Sequence, residues 1–243
     1  MDRASRFSYQ CNQCGLCCRN KVITLSPYDV LKIARAAGIS TGEAVKRYTI
    51  RRGSILRFDK SGACVTLEGA QCTIHSGRPL ACRLYPLGIE RDEHGERLVR
   101  LRPEPSSLGI YSDSGTAGDF IDAQGTRPYL DALDQYRELV AELRARVAAM
   151  VDFERIEPRE FWRRAVAEAL MEMNYDPNPL IDAIFDPGSL GSSRNDEQAT
   201  ITAHIDRLRE MAAKETDPDR IAAAAVMLAV SVGFSPGEVI SRS

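Results

Sequence analysis

The chain has 243 residues, 44% of them hydrophobic, with 32 Lys and Arg against 34 Asp and Glu, a formal net charge of −2 and a pI near 6.0. That length allows one or two domains with a sizeable apolar core, and such a chain does not need disulfides in order to fold. Basic residues are spread out rather than blocked together, and the longest apolar run, Ile221 to Val230, falls short of the roughly 18 residues a membrane span needs, so neither a nucleic acid nor a membrane is expected as a partner.

The first residues, "MDRASRFSYQCNQC", carry charge at once and contain no apolar stretch like a signal-peptide core, which points to a reducing cytoplasm. Next comes "SPYDVLKIARAAG". Ser26 suits an N-cap, Pro27 the first helical position, Asp29 the positive helix end and Gly38 the C-terminal stop, so a short helix is expected. Ser40 and Glu43 stand at capping-box spacing and open a second short helix ending near Arg51. "SILRF" and "ACVTL" read as two strands joined at Gly62, and "GIERDEHGERLVRL" as a hairpin around His94 and Gly95. From Pro103 to Gly125 the Gly, Ser and Pro content predicts a long irregular connection.

Helical periodicity then takes over at 128–151, with Leu130, Leu133, Tyr136, Val140, Leu143 and Val147 on one stripe, and again at 158–174, 195–214 and 218–232. Breaks are expected at Asp176–Pro179 and Pro187–Ser193. The expected fold class is α+β and mainly α. A small irregular cysteine-rich unit with short helices and hairpins, residues 1–125, precedes a helical extension, residues 126–243, packed on it.

The seven cysteines are Cys11, Cys14, Cys17, Cys18, Cys64, Cys72 and Cys82, four of them within "CNQCGLCC" and none after Cys82. An odd count in a cytoplasmic chain argues against a disulfide framework. Two successive Cys-x2-Cys steps, Cys11 to Cys14 to Cys17, match the start of a ferredoxin-type run whose fourth ligand lies elsewhere, at Cys64, Cys72 or Cys82, with Cys82 the preferred distant partner. The later spacing, Cys64-x7-Cys72-x9-Cys82, has no second close pair, which favours an iron–sulfur cluster over a zinc ribbon. Cys17 and Cys18 are expected to point to opposite sides, so that Cys18, with Cys64 and Cys72, completes a second site or packs. A metal-free thiol switch at Cys17/Cys18 or Cys14/Cys17 is a further reading.

Arg19, Arg78 and Arg83 lie near the thiols in sequence and would offset thiolate charge, and His75 can extend the ligand set. His94, His204, Asp119, Asp122 and Tyr111 read more simply as turn, helix-face, capping or surface residues. No Gly-x-Gly-x-x-Gly follows a strand, and no Walker sequence is present.

"CNQCGLCC", "GACVTL", "QCTIH", "RPLACRLYPLG" and "GIY…GTAGDFIDAQG" together resemble the YkgJ-like CxxCxxCC family of zinc- or iron-chelating cysteine-cluster domains, over about residues 8–130. The resemblance implies metal chelation by Cys11, Cys14, Cys17, Cys18, Cys64, Cys72 and Cys82. It extends to a flagellin lysine N-methylase, which makes an enzyme conceivable. Two positions depart from the family pattern. An eighth cysteine is expected in the Pro/Gly-rich loop, where this chain has Ser106 and Ser107, and His75 stands where Tyr is commoner. The expectation is a cytoplasmic protein holding a [4Fe-4S] cluster, or zinc as the alternative, with the C-terminal helices open to a protein partner or a second copy.

Overall fold

A computed structural model describes residues 1–92, 95–102, 104, 106–170, 178–188 and 196–241. In chain order, β1 (Arg6–Gln10) leads through a 3-10 turn (Leu16–Cys18) to α1 (Pro27–Ala37), α2 (Thr41–Tyr48) and β2 (Thr49–Ile50). Then follow β3 (Ile55–Leu56), β4 (Leu67–Glu68), β5 (Gln71–Cys72), α3 (Leu80–Leu84), β6 (Leu87–Asp92) and β7 (Gly95–Arg100). β8 (Ile110–Thr116) and α4 (Ala117–Ala123) close this part. Helices α5 (Arg127–Met150), α6 (Pro158–Leu170), α7 (Pro179–Ile184), α8 (Glu197–Lys214), α9 (Pro218–Ser231) and α10 (Pro236–Ser241) make up the rest. The fold is mixed α+β with small hairpins first and helices after, as the pattern predicts.

The helix signals act as expected. Ser26 and Asp29 form a reciprocal capping box at α1, and Gly38 ends it at φ 67°, a left-handed conformation that costs a residue without Cβ nothing. Ser40 caps α2 by accepting from the Glu43 N–H, but the Glu43 carboxylate pairs with Arg47 one turn on, so only half of a capping box forms. α2 ends at Tyr48, earlier than expected, because the chain turns into β2. α9 is buried on every side from Ile221 to Ala229 and packs against α5, α6 and α7. Its run of alanines lets those helices come close.

Three pairings differ from the sequence reading. β3, from "SILRF", pairs with β2; the expected hairpin to "ACVTL" forms only as the Phe58–Cys64 bridge with the Val65 N–H donating to Arg57 O at 3.2 Å and the Asp59 N–H to Ala63 O at 2.7 Å, and β4, which begins at Leu67, pairs with β5. Inside the expected irregular connection 103–125, "IYSDSGT" pairs antiparallel with "RFSYQ", more than ninety residues away, and Thr116 and Asp119 cap α4 with a second reciprocal box. From Ser112 to Thr116 it is a run of polar residues and glycine with no period of two, so only the distant partner reveals it as a strand. The β6–β7 hairpin forms as expected, although His94 at its turn lies outside the described residues. So do 171–174 of the helix expected over 158–174, residue 195 at the start of the one expected over 195–214, and 176–177 and 189–193 of the expected breaks.

A large continuous core joins α1 and the turns around Cys64 and Ile74 to the helices α5–α10. A smaller one, with Phe7, Leu84, Leu87, Leu98, Phe120 and Ile121, lies under β1, β8, α4 and the β6–β7 hairpin. Cys64 belongs to the larger core, and Cys18 and Cys72 pack against it.

Candidate metal centre

Gly15 directs the opening cysteine turn. It sits at φ 72°, and a Cβ there would meet the Ala70 backbone at 3.3 Å and the Leu67 side chain at 3.4 Å. The turn therefore lies flat on the β4–β5 hairpin, where any side chain would force it away. Main-chain bonds continue the contact: the Asn20 N–H donates to Gly62 O at 2.8 Å and the Cys64 N–H to Cys18 O at 2.9 Å. Segments more than forty residues apart are thereby zipped together around their thiols.

Cys17 and Cys18 lie in the 3-10 turn rather than in extended backbone, so their sulfurs come within 4.0 Å of each other instead of pointing apart. The pair gives up one proton easily and the second with difficulty: the hydrogen bond from Cys18 pulls the Cys17 thiol down to about 7, and Cys18 is pushed up in return. Cys64 is buried in the main core, with Cys18 and Cys72 packed against that core. Thr66 lies between two sulfurs, its Oγ1 3.2 Å from Cys64 Sγ and 3.6 Å from Cys72 Sγ.

Cys82 arrives on α3. Burial pushes its thiol up, and the neighbouring charges of Cys64, Cys72, Asp29 and Cys17 push the same way. Asp29 fixes the start of that helix: one carboxylate oxygen accepts the Leu80 N–H at 2.7 Å, while the other accepts the Ser26 N–H at 2.8 Å and its hydroxyl at 2.6 Å. Arg83 spends its guanidinium on Gln124 O at 2.7 Å and on Ser76 O at 2.5 Å, against the Tyr129 ring. Arg78 bonds Gln124 Oε1 at 2.9 Å, with Cys82 and Cys11 among the charges acting on it.

Cys14 and Cys11 form the outer edge. The N–H groups of Leu108 and Leu16 hold the Cys14 thiol below its ordinary value, and the Ser107 hydroxyl adds to them. Ser107 thus stands beside Cys14. Cys11 is exposed, and its sulfur accepts the Gln13 N–H at 3.4 Å. Glu104 and residues 106–109 lie along this edge, tied by Asn12 to Leu108 O at 2.7 Å, by Lys21 to Glu104 at 3.1 Å and by the Glu104 N–H to Tyr85 OH at 3.0 Å.

The structure thus gathers Cys17, Cys18, Cys64, Cys72 and Cys82 into one neighbourhood, with Cys14 beside Cys17 and Cys11 at the rim. All seven thiols are free. Among the described residues no three His, Cys, Asp or Glu side chains close on a single point as they stand. The donor chemistry fits a soft or borderline metal, since every candidate ligand here is sulfur. Arg19 meets Ala63 through its backbone. His75 is exposed with its Nδ1 3.3 Å from Arg78, and desolvation and the two arginines lower its pKa.

Asp119 caps α4 and Asp122 pairs with Arg3 at 2.5 Å, both structural uses. Tyr111 packs at 4.9 Å from Tyr9 and under the Arg100 guanidinium at 4.6 Å. His204 is fully buried between Tyr136 OH at 2.7 Å and Ala183 O at 2.9 Å, in the helical core rather than on an open helix face. Thr66 and the link from Asp29 to α3 are features of this neighbourhood that sequence reasoning passed over, because each depends on a contact made through the fold.

The fold and the thiol array define a cysteine-cluster domain set into a mixed α+β chain. Residues 10–99 match the CxxCxxCC family model, described as "Putative zinc- or iron-chelating domain". A curated relative, the uncharacterized protein MJ0661 of Methanocaldococcus jannaschii, is 34% identical over 88 residues, which is 35% of this chain. The chain thus spans about half, 47%, of that relative's length. No solved structure matches the chain.

Proposed function

We propose that residues 1–125 form a metal-binding unit that holds an iron–sulfur cluster of the [4Fe-4S] type. Cys11, Cys14, Cys17 and Cys82 are its ligands, and Cys18, Cys64 and Cys72 complete a second site or enlarge the first. The helical part, residues 126–243, packs on the unit through the shared core. The observation that carries this reading is the convergence of free thiols from separate turns and from α3 on one neighbourhood, with Arg78 beside it to offset thiolate charge. A bound cluster supplies one-electron chemistry at a potential set by its surroundings. The chain's own residues supply the thiolates, exclude water at Cys64 and hold α3 in place through Asp29.

Zinc is the second reading, favoured by the same sulfur donors and by the family description, and it makes the unit a structural or regulatory module. Free thiols throughout support a reducing compartment, the cytoplasm. No helix among the described residues is long and apolar enough to cross a membrane. The C-terminal helices are the proposed surface for a second copy or a protein partner, with a recess lined by Val140, Ala141, Ala229, Phe234 and Val239 together with Arg137 and Arg144. The test is anaerobic purification followed by iron, sulfide and zinc analysis with an electron paramagnetic resonance spectrum. Iron with matching sulfide supports the cluster, and stoichiometric zinc without iron replaces it with the second reading. Reversible thiol oxidation in a chain holding neither metal would overturn both in favour of a thiol switch.

A further inference from the structure

Thr66 is 2% exposed, in the turn where the Leu67 N–H donates to Cys64 O at 2.9 Å. Its carbonyl oxygen is taken by Thr73, whose N–H and hydroxyl donate to it at 2.9 and 3.0 Å. Its hydroxyl faces two sulfurs, Cys64 Sγ at 3.2 Å and Cys72 Sγ at 3.6 Å. A neutral thiol is a weak acceptor, so a hydroxyl buried against two of them gains little for its lost water. A thiolate is different, because a hydrogen bond to an ionised acceptor is roughly twice as strong as a neutral one.

From this geometry we infer that Thr66 is a positioning residue for the metal centre: its hydroxyl proton is donated to the thiolate of Cys64 once metal has displaced the thiol protons. The inference rests on the reading of the cysteines as a metal centre. Without metal, Thr66 donates to one sulfur and accepts the S–H of the other. Metal binding releases both thiol protons to solvent, both sulfurs become acceptors, and the single hydroxyl proton goes to the nearer one, Cys64. The bond stabilises the thiolate against reprotonation, which favours the metal-bound form, and by lowering the sulfur lone pairs it raises the energy of sulfur-to-metal charge transfer.

The test compares wild type with Thr66→Val, which keeps the shape without the hydroxyl, and Thr66→Ser, which keeps the hydroxyl. A chelator competes for zinc and for iron reconstituted with sulfide, and cobalt(II) serves as a coloured stand-in. Thr66→Val is expected to hold metal about tenfold more weakly, the size of one hydrogen bond to a charged group, and to move the cobalt–thiolate band to longer wavelength. Thr66→Ser stays within about twofold, and the metal-free Val variant melts no lower than wild type, since a purely packing role loses nothing. Should the Val variant fail to fold, Thr66→Ala makes the same removal with less bulk. Unchanged affinity and an unchanged band in the hydroxyl-free variant overturn the role of Thr66 alone. A wild-type chain that takes up no iron, zinc or cobalt overturns the metal-centre reading beneath it.

Discussion

From Arg127 onward the chain is held by interlocked apolar side chains: Tyr136, Leu139, Phe161, Ile181, Ile205 and all of Ile221–Ala229 are almost wholly buried. Around the cysteines the means are different. There the strands β2 to β5 are two residues long, turns are joined by single main-chain bonds, and most of the thiols are only half-buried. Isolated short hairpins are marginal in water, whereas a helical bundle with a continuous core carries its own stability. The two regions meet where Tyr28, Lys32 and Arg35 of α1 converge on Glu197 at the start of α8, the cations at 2.6 and 2.8 Å. The contrast teaches that the helices provide a rigid wall and the cysteine turns are laid against it, so loss of metal should loosen one side and spare the other.

The largest effect expected from that division is at Cys82. Cys82→Ser should abolish stoichiometric metal binding while far-UV circular dichroism keeps its helical signal, as metal analysis and spectroscopy on one sample can show. Trp162→Ala should do the reverse. Trp162 packs edge-on against Phe161 at 5.7 Å and beneath the Arg144 guanidinium at 4.2 Å, so its loss should cost about 3–5 kcal/mol in denaturant titrations with the metal content of the folded fraction unchanged.

Third in size is a pH effect confined to the helices. Burial depresses His204 to about 4, so the folded chain keeps it neutral while the unfolded chain protonates it near its ordinary 6.5. Its contribution is therefore complete above about pH 6.5 and drains away as pH falls toward 4, by about 3 kcal/mol in all. Denaturant melts across that window should show the decline, and His204→Gln, which can still bond Tyr136 and Ala183, should flatten it. The smallest effect belongs to the junction. Glu197→Gln should cost about 1–2 kcal/mol by weakening charge-assisted bonds, read as a lower unfolding midpoint with normal metal uptake.

Helices announced themselves through signals that act within a few residues. Ser26, Asp29 and Gly38 bound α1, and the stripe from Leu130 to Val147 is the buried side of α5 apart from the half-buried Leu133. What stayed hidden depends on partners far along the chain. The β1–β8 pair joins Tyr9 to Tyr111, and nothing local to either strand specifies the other. β3 pairs with β2, and only the residues just after it, Arg57 to Asp59, meet Ala63 to Val65. In the candidate centre the thiols were legible from spacing and type, but the grouping of Cys82 with Cys64 and Cys72, the closeness of Cys17 to Cys18 and the bridging hydroxyl of Thr66 come from turns whose direction Gly15 and the α1–α3 link decide.

The most direct test of a shared thiolate centre is a cysteine-by-cysteine alkylation footprint of the anaerobically purified chain, read by peptide mass spectrometry before and after its metal is chelated away. The account predicts that thiols from the opening quartet and from Cys64, Cys72 and Cys82 become protected together in the loaded chain and react together once it is stripped. Identical labelling of all seven in both states would contradict it.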